Sequence, residues 1–223
     1  MITAAAGLQQ EAILSDNLVL YVDANDRTSY KGGGTVWKDL AGSNDGVLAN
    51  GPVWNSEGYF DFDGSNDSGQ FGNDSSLDLT EAISLSSWFN ADSTSGFACW
   101  MGKGQNICYM MFFNGTKIRL RIGNNTSANA IDSASDYTTG TWTNVVGTYD
   151  GANMKIYIDG ALDQTKARSG AIPTNTVNLG IGFDGATGLN FNGKIAISSI
   201  YSRALTASEV LHNFNAQRHR FGV

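Results

Sequence analysis

The stretch from Thr141 to Gly160, TWTNVVGTYDGANMKIYIDG, restricts the fold more than any other part of the chain. It reads as two antiparallel strands joined by the turn Asp150-Gly151-Ala152-Asn153, because Asp-Gly and Asn tolerate the positive φ values that a tight connection can need. Side chains alternate with period two along a strand. Pairing Tyr149 with Met154 therefore puts Val145, Gly147 and Tyr149 on one apolar face with Met154, Ile156 and Ile158. The opposite face carries Trp142, Asn144, Val146, Thr148, Lys155, Tyr157 and Asp159, a mixture suited to water or to an amphipathic cover. Such a hairpin does not stand alone and needs a second sheet.

The rest of the chain can supply one. With 27 Gly, two Pro and charged residues at 16%, its 223 residues suit short strands and frequent turns in one all-β domain. A net charge of −7 argues against nucleic acid as a main partner, since phosphate binding needs a basic field. No apolar run reaches a membrane-spanning length, and Met1 to Leu14 lacks the basic start and apolar core of a signal peptide, so a soluble product made in the cytosol is expected. Cys99 and Cys108 bracket a turn at Gly102 to Asn106; a cross-strand disulfide is conceivable, but reduced, half-buried thiols are expected without export.

In chain order, a small Ala- and Gln-rich leader, an arm or a short helix, precedes the strand-like LVLYVDA. Further strands are predicted at Tyr59 to Phe62, Ala82 to Asn90, Phe97 to Met101, Ile107 to Phe113, Lys117 to Ile122, Ala161 to Lys166, Val177 to Phe183 and Phe191 to Tyr201. With the hairpin they make roughly a dozen, more than one open sheet usually holds. In Lys117 to Ile122 the alternation turns Ile118, Leu120 and Ile122 inward and Lys117, Arg119 and Arg121 outward. That basic stripe is either a solvated face with edge-protecting charge or a contact for an acidic partner or an anionic glycan. Thr206-Ala207-Ser208-Glu209 is a capping box. The helix it starts would dock Val210, Leu211 and Phe214 on the sandwich, while Arg218, His219 and Arg220 complement its dipole or grip an acidic neighbour.

The ordered motifs LVLYVDA, VWKDLAGSNDGVL, FDFDGSND, ISLSSWF, TWTNVVGTYDGANMKIYIDGAL and FNGKIAISSIYSRALTASEV resemble those of concanavalin A-like, laminin-G-like jelly-roll domains, from Asn17 to Val210. The resemblance implies a two-sheet antiparallel sandwich over 17–204, an N-terminal arm at 1–16, and a short helix and tail at 205–223. The opening YVDANDRTSYKGGGTVWKDLAGSNDGVLANGPVWNS and the closing YSRALTASEVLHNFNAQRHRFGV look more specifically like virion structural proteins of tailed bacteriophages. By implication the chain is a capsid decoration or tail-associated component. Ala196 stands where members commonly carry an acidic residue, a departure that weakens the analogy for calcium binding, and no cofactor is expected unless calcium. Asp61, Asp63 and Asp67 could still supply oxygen ligands to calcium, although the same residues are ordinary turn chemistry.

Catalytic chemistry is not expected. A retaining glucanase needs two carboxylates about 5 Å apart, whereas Glu11, Glu57, Glu81 and Glu209 are widely separated; Asp61 and Asp63 sit against a turn, and His212 and His219 lie in the terminal helix region. Two roles follow. One is a structural virion protein, made in the host cytoplasm, oligomeric, and cementing a capsid through the major capsid protein. The other is a carbohydrate-binding adhesin on a tail or fibre, touching a surface glycan through Ser93 to Gly96, Asn124 to Asn129 and Asp184 to Asn190. Lys117, Arg119, Arg121, Arg218 and Arg220 are the candidate contacts to a partner or glycan.

Overall fold

The computed structural model describes residues 12–104 and 107–223, so the leader expected at the start lies, up to residue 11, outside the described residues. In chain order the strands are β1 (Leu18–Asp23), β2 (Val36–Trp37), β3 (Gly46–Ala49), β4 (Val53–Asn55), β5 (Tyr59–Asp63) and β6 (Ser68–Gln70). Then come β7 (Ile83–Ala91), β8 (Cys99–Gly102), β9 (Tyr109–Asn114), β10 (Lys117–Ile122) and β11 (Ala130–Asp136). The last are β12 (Thr143–Tyr149), β13 (Asn153–Ile158), β14 (Ala161–Ala167), β15 (Gly180–Ile181) and β16 (Asn192–Tyr201), followed by helix α1 (Ala207–Gln217).

They form two antiparallel sheets. The first runs β14-β13-β12-β7-β16-β5-β4, and β1 shares the long β16 with β5: β5 pairs with Asn192 to Ile195 and β1 with Ile197 to Tyr201. The second runs β11-β10-β9-β8-β15-β6-β3-β2. The hairpin has the expected register, Tyr149 opposite Met154 and Val145 opposite Ile158. Asp150 shapes its turn by accepting from the amides of Ala152 and Asn153 at 2.9 and 2.7 Å.

Between the sheets lies a core rich in aromatic rings. Phe89 is at its centre, with ring centroids of Trp100, Tyr137, Phe191 and Phe113 at 4.5, 5.5, 5.7 and 5.9 Å. Such pairs add about 0.5–1.5 kcal/mol each beyond the area they bury. Gly147 lets the hairpin approach the other sheet, since a Cβ there would lie 3.0 Å from Leu120 and 3.1 Å from Met111.

The mixed outer face of the hairpin is covered, and α1 is the cover. Val146 and Tyr157 pack with Tyr201, Leu205 and Val210, and Leu14 from the N-terminal side joins them. Phe214 stacks on Trp88. Leu211, expected to dock beside Val210 and Phe214, is instead 47% exposed. The two cysteines are free and both fully buried, not half-buried. Cys99 faces Phe112 across the β8–β9 ladder, not Cys108, so register alone keeps them unbridged. Of the stretch Val177 to Phe183 only Gly180 and Ile181 pair as a strand. Strands β3, β4, β6 and β11 have no counterpart among the strands expected from sequence.

Candidate binding cleft

Each sheet has a free edge at this end of the sandwich, β11 in one and β14 in the other. Unpaired edge amides need partners, and Asp163 of β14 provides them by accepting from the amides of Ala134 and Ser135 at 2.6 and 3.1 Å. Lys166 of β14 reaches the other way, donating to the carbonyls of Ala130, at 2.8 Å, and Ser127. Beside this seam opens a cleft of about 500 Å³. Its floor is Arg119, Asp132 and Ile131; its walls are Asn125, Thr126 and Ser127 from the β10–β11 loop and Gln164, Thr165 and Lys166 from β14.

The floor is set by the ladder. Arg119 lies opposite Asp132, and its guanidinium donates to both carboxylate oxygens, Nε at 2.5 Å and Nη2 at 2.7 Å. Asn114 donates to the same carboxylate at 3.2 Å. The hydrogen bonds from Arg119 hold the Asp132 carboxyl below the usual carboxylate range. Arg168, stacked 4.5 Å over the Tyr149 ring, holds the loop from beneath by donating to Asn129 Oδ1 at 3.1 Å. Asn129 and Thr126 both donate to Asn124 Oδ1. The loop is thus pinned at its base, and Asn125, Thr126 and Thr165 stand exposed at the mouth.

Of the residues singled out from sequence, Arg119 and the Asn124–Asn129 loop come together here. Lys117 is on the same strand outside the cleft, paired with Asp136 at 3.1 Å and donating to the Ala134 carbonyl at 2.6 Å. Arg121 corrects the outward-facing expectation: it is 5% exposed, with its guanidinium 4.7 Å over the Phe112 ring. Burial and the positive charge of Arg119 lower its pKa. Arg220 bonds Asp23 at 2.6 Å and the Gly58 carbonyl, tying the tail to the sandwich, whereas Arg218 is exposed with its guanidinium 5.7 Å over the Phe214 ring. The 184–190 loop folds over the second sheet, the Asp184 carboxylate accepting from the amides of Ala186, Thr187 and Gly188. Gln164, Thr165 and Lys166 were read from sequence only as strand, because nothing local says that β14 is an edge.

Of the three aspartates proposed for calcium, Asp61 lies within β5 opposite Lys194, and the other two do turn work. Asp63 Oδ1 accepts from the Ser65 amide at 2.8 Å, and Asp67 Oδ2 accepts from the Asp63 amide at 3.0 Å. Among the described residues no group of three or more His, Cys, Asp or Glu is gathered as a metal site. Ala196 is fully buried against Trp88 and Phe214, so an acidic side chain there would have to displace the helix.

No curated protein matches the chain. Among solved structures, the binding domain of Paraclostridial Mosquitocidal Protein 1 superposes with a TM-score of 0.71 at 17% identity, over 91% of this chain and 52% of that one. Trypanosoma rangeli sialidase superposes at 0.68 and 16% over 92% and 33%, and the receptor binding domain of botulinum neurotoxin C/D mosaic serotype at 0.66 and 17% over 92% and 52%. The chain therefore spans about half or less of these proteins, and at such identities the likeness is one of fold. The sequence itself matches the laminin G family model described as concanavalin A-like lectin/glucanases superfamily over residues 63–211. With the two-sheet jelly roll, that match makes the chain a member of the concanavalin A-like lectin/glucanase superfamily.

Proposed function

We propose that the chain is a non-catalytic lectin-like module that binds a glycan in the cleft between β11 and β14. The observation that carries this is the cleft's lining, where amide, hydroxyl and charged groups converge from three segments on a braced floor, the chemistry that hydrogen-bonds sugar hydroxyls. Arg119 and Lys166 set against Asp132 leave one excess positive charge on an acidic chain. That balance suits a glycan bearing a carboxylate or sulfate. Two of the structural neighbours are a binding domain and a receptor binding domain, which agrees with a binding role. Binding without turnover fits the scatter of Glu57, Glu81 and Glu209, which stand at separate elements.

A glycan array probed with and without calcium tests it. Binding to acidic glycans is expected, weakened about tenfold by Gln164→Ala or Thr126→Ala, as loss of about one hydrogen bond implies. An array with no binder overturns it.

A second role, capsid decoration or cement in a bacteriophage virion, is favoured by the virion-like opening and closing segments and by a sheet edge that leaves Val36 and Val47, cross-strand partners, each about half exposed. Repeated over a shell, such an edge would add contacts to the major capsid protein or to further copies of the chain. Many copies per purified particle are expected; absence from particles would exclude it. An outward-facing decoration protein could also hold glycans, so the two roles are compatible.

A further inference from the structure

On the outer face of the first sheet, sharing no lining residue with the edge cleft, the C-terminal tail crosses the sandwich and leaves an aromatic notch of about 200 Å³. Tyr59 and Trp142 form its sides, with ring centroids 5.8 Å apart and planes at 59°, and Phe221 closes its end, 4.9 Å from Trp142. All three rings are half-buried, so each keeps accessible surface. Glu57 stands exposed on the rim. Arg220 forms a wall shared with a second, polar pocket of about 360 Å³ lined by Asp23, Asn25, Gln217 and His219.

We propose that this trough is a second carbohydrate site, one that takes a neutral hexose disaccharide. The apolar C–H face of one pyranose would stack on the surface that the touching rings of Tyr59 and Trp142 leave open to the notch, and the hydroxyls of the next ring would bond to Asn25 and Gln217 beyond Arg220. Aromatic surface beside a few converging polar groups is the composition that such recognition needs. Neutrality follows from charge: Arg220 is already matched by Asp23 at 2.6 Å, and Glu57 on the rim repels an anion. The core aromatics, by contrast, have no open face: Trp37, Trp88 and Trp100 are all fully buried. Tyr59 and Trp142 come from segments more than eighty residues apart in sequence and meet only because β5 and β12 lie in one sheet.

The site is independent of the edge cleft, and the experiment separates them. Amide and indole nitrogen–proton spectra of the full chain would be followed while cellobiose, maltose or lactose is added, with Trp142→Phe assigning the Trp142 indole. At least one disaccharide is expected to move that signal with millimolar affinity. Tyr59→Leu should weaken the effect about tenfold, and Gln164→Ala, in the edge cleft, should leave it unchanged. Should Tyr59→Leu fail to fold, Glu57→Ala, which removes from the exposed rim a carboxylate that would accept from a sugar hydroxyl, should still weaken binding several-fold. No movement with any of the three sugars, or a response that survives both rim variants, or one abolished only by Gln164→Ala, overturns the assignment.

Discussion

Lys103 carries an ammonium into the interior with no exposed surface, donating to Asp78 at 2.8 Å and to the Asn175 carbonyl at 3.0 Å. A buried charge is tolerated only while it is paired. Asp78→Ala should therefore cost about 3 kcal/mol, read as a lower urea midpoint at unchanged slope. Lys103→Met in that background should recover much of the loss, because it removes the stranded charge; a loss within the error of the measurement would refute the account. Nothing in the sequence marks Lys103 as different from any other lysine. The same limit applies to Arg121. Alternation put Lys117, Arg119 and Arg121 on one face, which is correct, yet only Arg121 is covered. Period-two patterning reports which face a side chain is on and is blind to what lies over that face.

Helix α1 is the element most legible beforehand, because its start is written in four consecutive residues. The Thr206 hydroxyl accepts from the Glu209 amide at 3.3 Å, and Glu209 Oε2 accepts from the Thr206 amide at 2.8 Å and from Arg203 at 2.9 Å. The hydrogen bond from Arg203, with those from Thr206, lowers the Glu209 pKa to about 2. A carboxylate whose folded-state pKa is depressed contributes stability that is present above its unfolded value, near 4.5, and is lost as the pH falls toward 2. Glu209→Gln should cost about 1 kcal/mol at neutral pH, since the pair is partly exposed and Gln can still accept from Thr206. The gap to the unaltered chain should close between pH 4.5 and 2 in unfolding titrations; a gap constant with pH would contradict this. Strand β11 is the opposite case. AIDSASD has little apolar alternation, and it becomes a strand because Asp132 and Asp136 fall opposite Arg119 and Lys117. Such pairing is decided by a neighbour and not by the segment itself.

At the scale of the molecule, the sandwich, the hairpin register and the terminal helix could be read from the chain, because turn residues, period-two alternation and a capping box act over a few neighbouring residues. The mixed outer face of the hairpin, with Val146, Tyr157 and Trp142, suited either water or an amphipathic cover, and α1 with the tail decides for the cover. Both candidate sites lay beyond that kind of reading. The edge cleft combines Arg119, Thr126 and Gln164, and the notch combines Tyr59, Trp142 and Phe221. Local pattern determined most of the longer segments and which way their side chains point. Only the tertiary structure decided which two edges meet and where the tail crosses, because those contacts are set by the order of strands within the sheets, and strand order carries no local signature.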